Sequence, residues 1–149
     1  RLRDTIENKP EIIDPSVLSV LRDAVGQDMK TYYESVFRRY EFREKMRSFF
    51  EKYDILLTPT VPVAAFDAGL DQPPGYEDKT IVSWATFTYP FNLSGQPAAS
   101  IPVGFSKEGL PIGLQAVAAS HDELSIFSLA SAFEAANADR SMAARIQPS

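Results

Sequence analysis

Few residues of this chain have the types and spacing that bond-making chemistry needs. The single histidine, His121, is followed by Asp122, the pairing of a general base with an orienting acid. Adjacent side chains at a helix start point in different directions, so the pair reads as a surface histidine in a capping region. Ser94 precedes Gly95, but a nucleophile elbow, Gly-x-Ser-x-Gly, also needs a glycine two residues before the serine. Asn92 stands there. The glycines at 104, 109 and 113 match neither a phosphate-cradling loop nor a dinucleotide fingerprint. Cysteine is absent, which removes disulfides, thiolate metal sites and a cysteine nucleophile together. One histidine cannot build a multi-histidine metal site. The 20 Asp and Glu are scattered, so no pair is marked out for two-carboxylate catalysis.

The elements that would position any site follow from periodicity and caps. Residues 1–13 are polar, turn at Asn8, Lys9 and Pro10, and read as a linker. Asp14 before Pro15 is a helix start, and Gly26 suits a left-handed stop, so a helix is expected over about 15–25. Met29, Tyr33, Val36, Phe37, Tyr40, Met46, Phe50 and Tyr53 recur at helical spacing and predict a long helix over about 28–52 whose aromatic stripe faces the core. Ile55, Leu56 and Leu57 running into Thr58 and Pro59 predict a short buried strand. Eight of the 11 prolines and six of the 7 glycines lie between residues 59 and 113, so this third is built of turns and short strands. Residues 61–80 form a long polar loop, a candidate pocket rim. Ile101–Phe105 and Ile112–Ala118 predict an antiparallel hairpin, with Pro102 at a strand start, bulge or edge. Ser120 and Glu123 have capping-box spacing and open a final helix over about 121–136. The stretch from Asn137 to Ser149 is polar and is expected to fray.

At 149 residues, 44% hydrophobic and 23% charged, the chain has the composition and size of one folded domain and not of a disordered polypeptide or a coiled-coil rod. A net charge of −5 supplies no general attraction to nucleic acid. The stretch from Lys30 to Lys52 is locally basic, with seven Lys/Arg against four Glu. Oppositely charged residues three and four apart make it a solvated helix face. No apolar run approaches the ~18 to 20 residues of a membrane span, and the default is a soluble cytoplasmic protein.

Three blocks say more. YDILLTPTVPVAAF at 53–66, FTYPFNLSGQPAASIPVGF at 87–105, and GLPIGLQAVA at 109–118 followed by DELSIFSLASAFE at 122–134 together resemble the C-terminal part of the amidase signature family. The resemblance covers about 15–136 in the family's order. It implies an α/β fold, with strands of a mixed sheet flanked by helices, and a chain that is the C-terminal fragment of a single amidase signature domain. It also implies breakage of an amide by a serine nucleophile, activated through a second serine by a buried lysine, with no cofactor and no metal. Those groups lie upstream of these blocks in the family. The lysines here, at 9, 30, 45, 52, 79 and 107, fall on a charged helix or in polar turns, so no catalytic residue is assigned and the chain alone is expected to be inert.

Its implied contribution is one wall of the substrate pocket, at Val82, Trp84, Ala85, Phe87 and Tyr89. In the A subunits of tRNA-dependent amidotransferases, which resemble this region, an acidic residue stands seven before the asparagine. Ala85 occupies that place before Asn92, favouring a hydrolase of hydrophobic or aromatic amides over an amidotransferase; a non-catalytic amidase-like binding module is the further alternative. Asn92 is expected to bond backbone between loop and strand. The implied partners are a small-molecule amide, the N-terminal portion of the same enzyme and a second copy of the chain through exposed strand edges, with neither nucleic acid nor membrane.

Overall fold

Three aspartates start the three longest helices. In the computed structural model, which describes residues 2–77 and 83–137, the Asp14 carboxylate accepts the backbone N–H groups of Ser16 at 2.9 Å and Val17 at 3.3 Å, and also the Ser16 hydroxyl. It caps α2, Pro15–Val25. Asp28 accepts the N–H of Thr31 at 2.7 Å and caps α3, Met29–Phe50. Asp122 accepts both the N–H and the hydroxyl of Ser125 and caps the last helix, α5, Glu123–Ala136. Each carboxylate satisfies N–H groups that a helix start leaves unpaired. Ser120 is therefore not the cap; the chain turns at His121, whose φ of 67° is left-handed, and the aspartate after it takes the role. Gly26 likewise departs from expectation, with right-handed backbone at the end of α2.

The stretch 1–13, expected as a polar linker, is helical over most of its described residues. Leu2–Asn8 forms α1 and Pro10–Ile12 a single 3-10 turn. Ile6 is buried, and the Arg3 guanidinium donates to the carbonyl of Val25 at the end of α2. One apolar contact and one end-to-end hydrogen bond dock α1, a tertiary effect that composition does not reveal.

The sheet has three strands in the order β1-β3-β2, with β1 Ile55–Pro59, β2 Ala98–Phe105 and β3 Pro111–Ala118, every pair antiparallel. The α/β class stands, and among the described residues the sheet is antiparallel. β2 and β3 form the expected hairpin. Its turn closes by Ser106 N–H to the Leu110 carbonyl at 2.7 Å, with Gly109 at φ 83°. The register slips between Pro102 and Gly104, so Pro102 sits at a bulge on an edge strand of the described sheet, two of the positions a strand proline tolerates. One sheet face, carrying Ile55, Ala99, Ile101, Val103, Ala116 and Ala118, packs on Ile126, Leu129, Ala130 and Phe133 of α5. This is the core, and each buried isoleucine in it, Ile101 and Ile126, contributes roughly 1.5–3 kcal/mol relative to exposure.

Between β1 and β2 the middle third also holds an unforeseen helix, α4, Tyr89–Ser94. It ends at Gly95, left-handed at φ 82°, whose N–H returns to the Phe91 carbonyl at 2.8 Å, a stop that favours glycine. The Arg39 guanidinium donates to the Leu93 carbonyl at 2.7 Å and ties α3 to α4. The aromatic stripe of α3 does not face the core: Phe37 is 63% and Tyr33 51% exposed, with Met29, Tyr40 and Tyr53 also exposed. Only Val36, Met46 and Phe50 of the stripe are half-buried. What supports α3 instead is its caps and its surface pairs, Lys30–Glu34 and Arg47 with Glu44 and Glu51, each worth a few tenths of a kcal/mol. Val82, Lys79 and the stretch 138–149 lie outside the described residues.

The caps give a pH signature. Hydrogen bonding holds the Asp14 carboxyl below the ordinary aspartate value, the Ser16 hydroxyl first and then the Val17 and Ser16 N–H groups; the Thr31 N–H does the same for Asp28. A lowered folded-state value means stability present above the unfolded-chain value and lost as the pH falls through the folded-state one. Far-UV circular dichroism should therefore show helix content falling as the pH drops below about 3.9. The double variant Asp14→Asn, Asp28→Asn should lose a clear part of that acid dependence.

Candidate functional site

The sheet face turned away from α5 carries a polar row. Alternation along the strands puts Thr58, Gln115 and Ser100 on it, and pairing places Thr58 and Ser100 opposite Gln115 on its two sides. Gln115 is only 4% exposed, on the one strand paired along both edges. A buried amide is costly unless its hydrogen bonds are made, and here both amide hydrogens are used. Nε2 donates to Thr58 Oγ1 at 2.9 Å and to the Phe87 carbonyl at 2.7 Å. The carbonyl can only accept, which fixes the orientation of the amide.

One residue pair further along, β3 carries Gly113 where its neighbours carry side chains. Thr60 Oγ1 and Ser100 Oγ meet at 2.7 Å directly over it, and the Thr60 N–H bonds the Gly113 carbonyl. A Cβ on residue 113 would collide with the Ser100 hydroxyl and stand 2.8 Å from that of Thr60. Glycine is needed here for close approach.

Against this face lies the segment singled out as a pocket wall. Trp84, Ala85 and Phe87 are half-buried, and Tyr89, at the first position of α4, is 40% exposed. Trp84 packs edge-on against Phe66 of the long loop at a centroid distance of 5.5 Å, a favourable aromatic geometry, so the 61–77 stretch does approach the wall. Within the segment, the Thr88 N–H and hydroxyl and the Tyr89 N–H all return to the Ala85 carbonyl. The bond from Gln115 to Phe87 joins this internally braced turn to the sheet. Asn92 is exposed on α4 and makes no side-chain hydrogen bond among the described residues, contrary to the expected backbone link between loop and strand.

The arrangement sets half-buried aromatic side chains beside a hydrogen-bonded polar row. The Thr60 and Ser100 hydroxyls bond one another and neither meets a histidine, lysine or carboxylate among the described residues. The carboxyl groups pulled below their ordinary values, at Asp14, Asp28, Glu77 and Glu108, serve helix caps and turns. No group of three His, Cys, Asp or Glu among the described residues is placed to hold a metal, and no described helix is long and apolar enough to cross a membrane. The described lysines at 9, 30, 45, 52 and 107 are all exposed. A separate cleft of about 560 Å³ lies between α3 and the two turns that enter β2 and α5, lined by residues including Tyr40, Arg43, Arg47, Gln96 and Ser120. No wall residue lines it.

Gln115, Thr58, Thr60, Ser100 and Gly113 are not singled out by the sequence reading. The signal for one of them is present: a glutamine inside the apolar alternation of GLPIGLQAVA has to be either exposed or paired.

Comparison with known proteins agrees with this architecture. Residues 16–127 match the family model described as Amidase. The A subunit of glutamyl-tRNA(Gln) amidotransferase from Streptococcus gordonii is 39% identical over 110 residues, covering 70% of this chain and 22% of that protein. That of Lactococcus lactis subsp. cremoris is 44% identical over 88 residues, covering 58% and 17%. The chain thus spans about a fifth of the length of these relatives. Among solved structures, one described as an amidase superposes with a TM-score of 0.76 at 26% identity, covering 89% of this chain and 31% of that one. A bacterial aryl acylamidase of the amidase signature family gives 0.69 at 28%, covering 87% and 28%.

The glycine over which the two hydroxyls meet is open to test. Gly113→Ala should destabilise the protein by about 1–3 kcal/mol, the usual cost of an overpacked position, measured by denaturant unfolding. Adding Ser100→Ala, which removes the colliding hydroxyl, should recover part of the loss.

Proposed function

The chain belongs to the amidase family, and on that premise we propose that the polypeptide carrying it hydrolyses carboxylic amides to the acid and ammonia or an amine. The reading is of a serine acyl-enzyme whose two serines and lysine are supplied upstream of these blocks, while this segment supplies pocket wall and sheet. A covalent intermediate divides a difficult acyl transfer into two easier steps. The exposure of every described lysine supports leaving the catalytic role to residues elsewhere.

The observation that carries the substrate class is Ala85. It stands seven before Asn92, half-buried between Trp84 and Phe87, and brings no charge to hold a substrate ammonium group. Apolar walls with a few polar groups are the usual lining of small-molecule sites, which favours amides with an apolar acyl side. The upstream part of the same enzyme is the proposed macromolecular partner: β1 and β2 each have one unpaired edge in the described sheet, and the aromatic face of α3 stands exposed. Edges and apolar faces of this kind pair with further chain.

A second reading is favoured by the curated relatives, which are amidotransferase A subunits. On it, glutamine is the ammonia donor and the chain works in a complex with other subunits.

The test is an assay of the full polypeptide on alkyl amides, aryl amides and glutamine. Release of amine or ammonia from apolar amides, with glutamine poor, is the expected result. Glutaminase activity with co-purifying subunits would establish the second reading instead, and no turnover of any amide would sink the first. The 149 residues alone should leave every amide intact. In the full polypeptide, Trp84→Ala should raise KM for the best amide roughly tenfold, equivalent to about 1.4 kcal/mol of lost apolar contact.

A further inference from the structure

We propose that Gln115 is a positioning residue for substrate: its buried amide fixes the backbone of the pocket wall at Phe87 to the rigid centre of the sheet. The inference rests on the reading of residues 84–89 as substrate wall and adds to it the group that sets where that wall stands.

The geometry is specific. Gln115 lies on β3, held by ladder hydrogen bonds along both edges, so its backbone is fixed by pairing on both sides. Its two amide hydrogens reach in different directions. One goes across the sheet to Thr58 Oγ1 at 2.9 Å, the other off the sheet to the Phe87 carbonyl at 2.7 Å. The Thr58 bond holds the side chain in one rotamer and thereby aims the second donor at the wall. The wall's own bonds from Thr88 and Tyr89 close on Ala85; they shape the turn without locating it on the sheet. A carbonyl accepting from a fixed donor does locate it, and Trp84, three residues away and packed on Phe66, moves with it. Elsewhere the interior of β3 uses apolar residues, Leu114, Ala116 and Val117, which could fill a buried position without the desolvation cost of an amide. The amide is accounted for by what it holds.

The test compares Gln115→Met, Thr58→Val, Thr58→Ser and Phe87→Ala in the full polypeptide. Readouts are kcat and KM on the amide turned over fastest, and the ¹⁹F resonance of 5-fluorotryptophan at Trp84, assigned by its loss in Trp84→Phe. Gln115→Met keeps the length of the side chain and removes both donors. It should raise KM about fivefold, the worth of one net hydrogen bond, with kcat little changed, and should shift or broaden the Trp84 resonance. Thr58→Val removes the aiming bond, along with the hydroxyl's own bond to the Pro59 carbonyl, keeps the Phe87 donor, and should move both readouts the same way by less. Thr58→Ser, which keeps the acceptor, should restore them. If Gln115→Met does not fold, the Thr58 pair decides the question alone.

Phe87→Ala separates the two claims. If it raises KM while the Gln115 and Thr58 variants leave KM and the ¹⁹F signal unchanged, or lower only thermal stability or only kcat, the positioning role is overturned and the wall stands. If Phe87→Ala also leaves KM unchanged, the wall reading fails and the positioning role falls with it.

Discussion

Strand β3 has a neighbour along each edge and a covered surface on each face, and the rest of the structure is arranged around that constraint. Its four last residues, Gln115 to Ala118, are all buried. Ala116 and Ala118 are small because α5 packs directly on them. Gly113 has no side chain because Thr60 and Ser100 meet above it. Gln115 is polar because the segment crossing that face offers a backbone carbonyl with no strand partner. A carbonyl turned away from solvent in part still needs a donor, and the sheet supplies one from a side chain. Residue size and polarity along β3 thus read as a record of what crosses it.

The two faces differ in kind. The face toward α5 is apolar and makes a core by interdigitation. The other pairs hydroxyls with one another and with an amide, and the amide with the backbone of an irregular segment, which is how a loop can be held in one place without regular secondary structure. On the proposed reading this surface presents Trp84 and Phe87 to a ligand in fixed positions, and rigidity of the supporting shell governs how well such a surface discriminates. The exposed aromatics of α3 and the open edges of β1 and β2 have the opposite character. They bury little within the described residues, and they are the surfaces on which further polypeptide is proposed to close.

Much of the fold is legible in the linear chain because it rests on local rules. Asp14 before Pro15 and the apolar run at 55–57 announce their elements through capping and periodicity, and Pro102, lacking a donor, restricts itself to a strand start, a bulge or an edge. Errors arise where a neighbour distant in sequence decides the outcome. Leu2–Asn8 is helical because Ile6 finds a buried site and Arg3 reaches Val25. The aromatic stripe of α3 has helical spacing, but spacing shows only that the residues share a face and not what meets it. At the end of β3 the capping role passes from Ser120 to Asp122 because left-handed backbone at His121 turns the chain one step later.

The residues by themselves determined the three longest helices, the three strands and, through three ordered blocks, the family; each depends on residue type and on order along the chain. The union of Gln115 with Thr58 and Phe87, and the meeting of Thr60 with Ser100 over Gly113, were decided only in three dimensions. The partners in those contacts are 57, 28 and 40 residues apart. Strand register and chain crossing bring such groups together, and neither is written in local spacing.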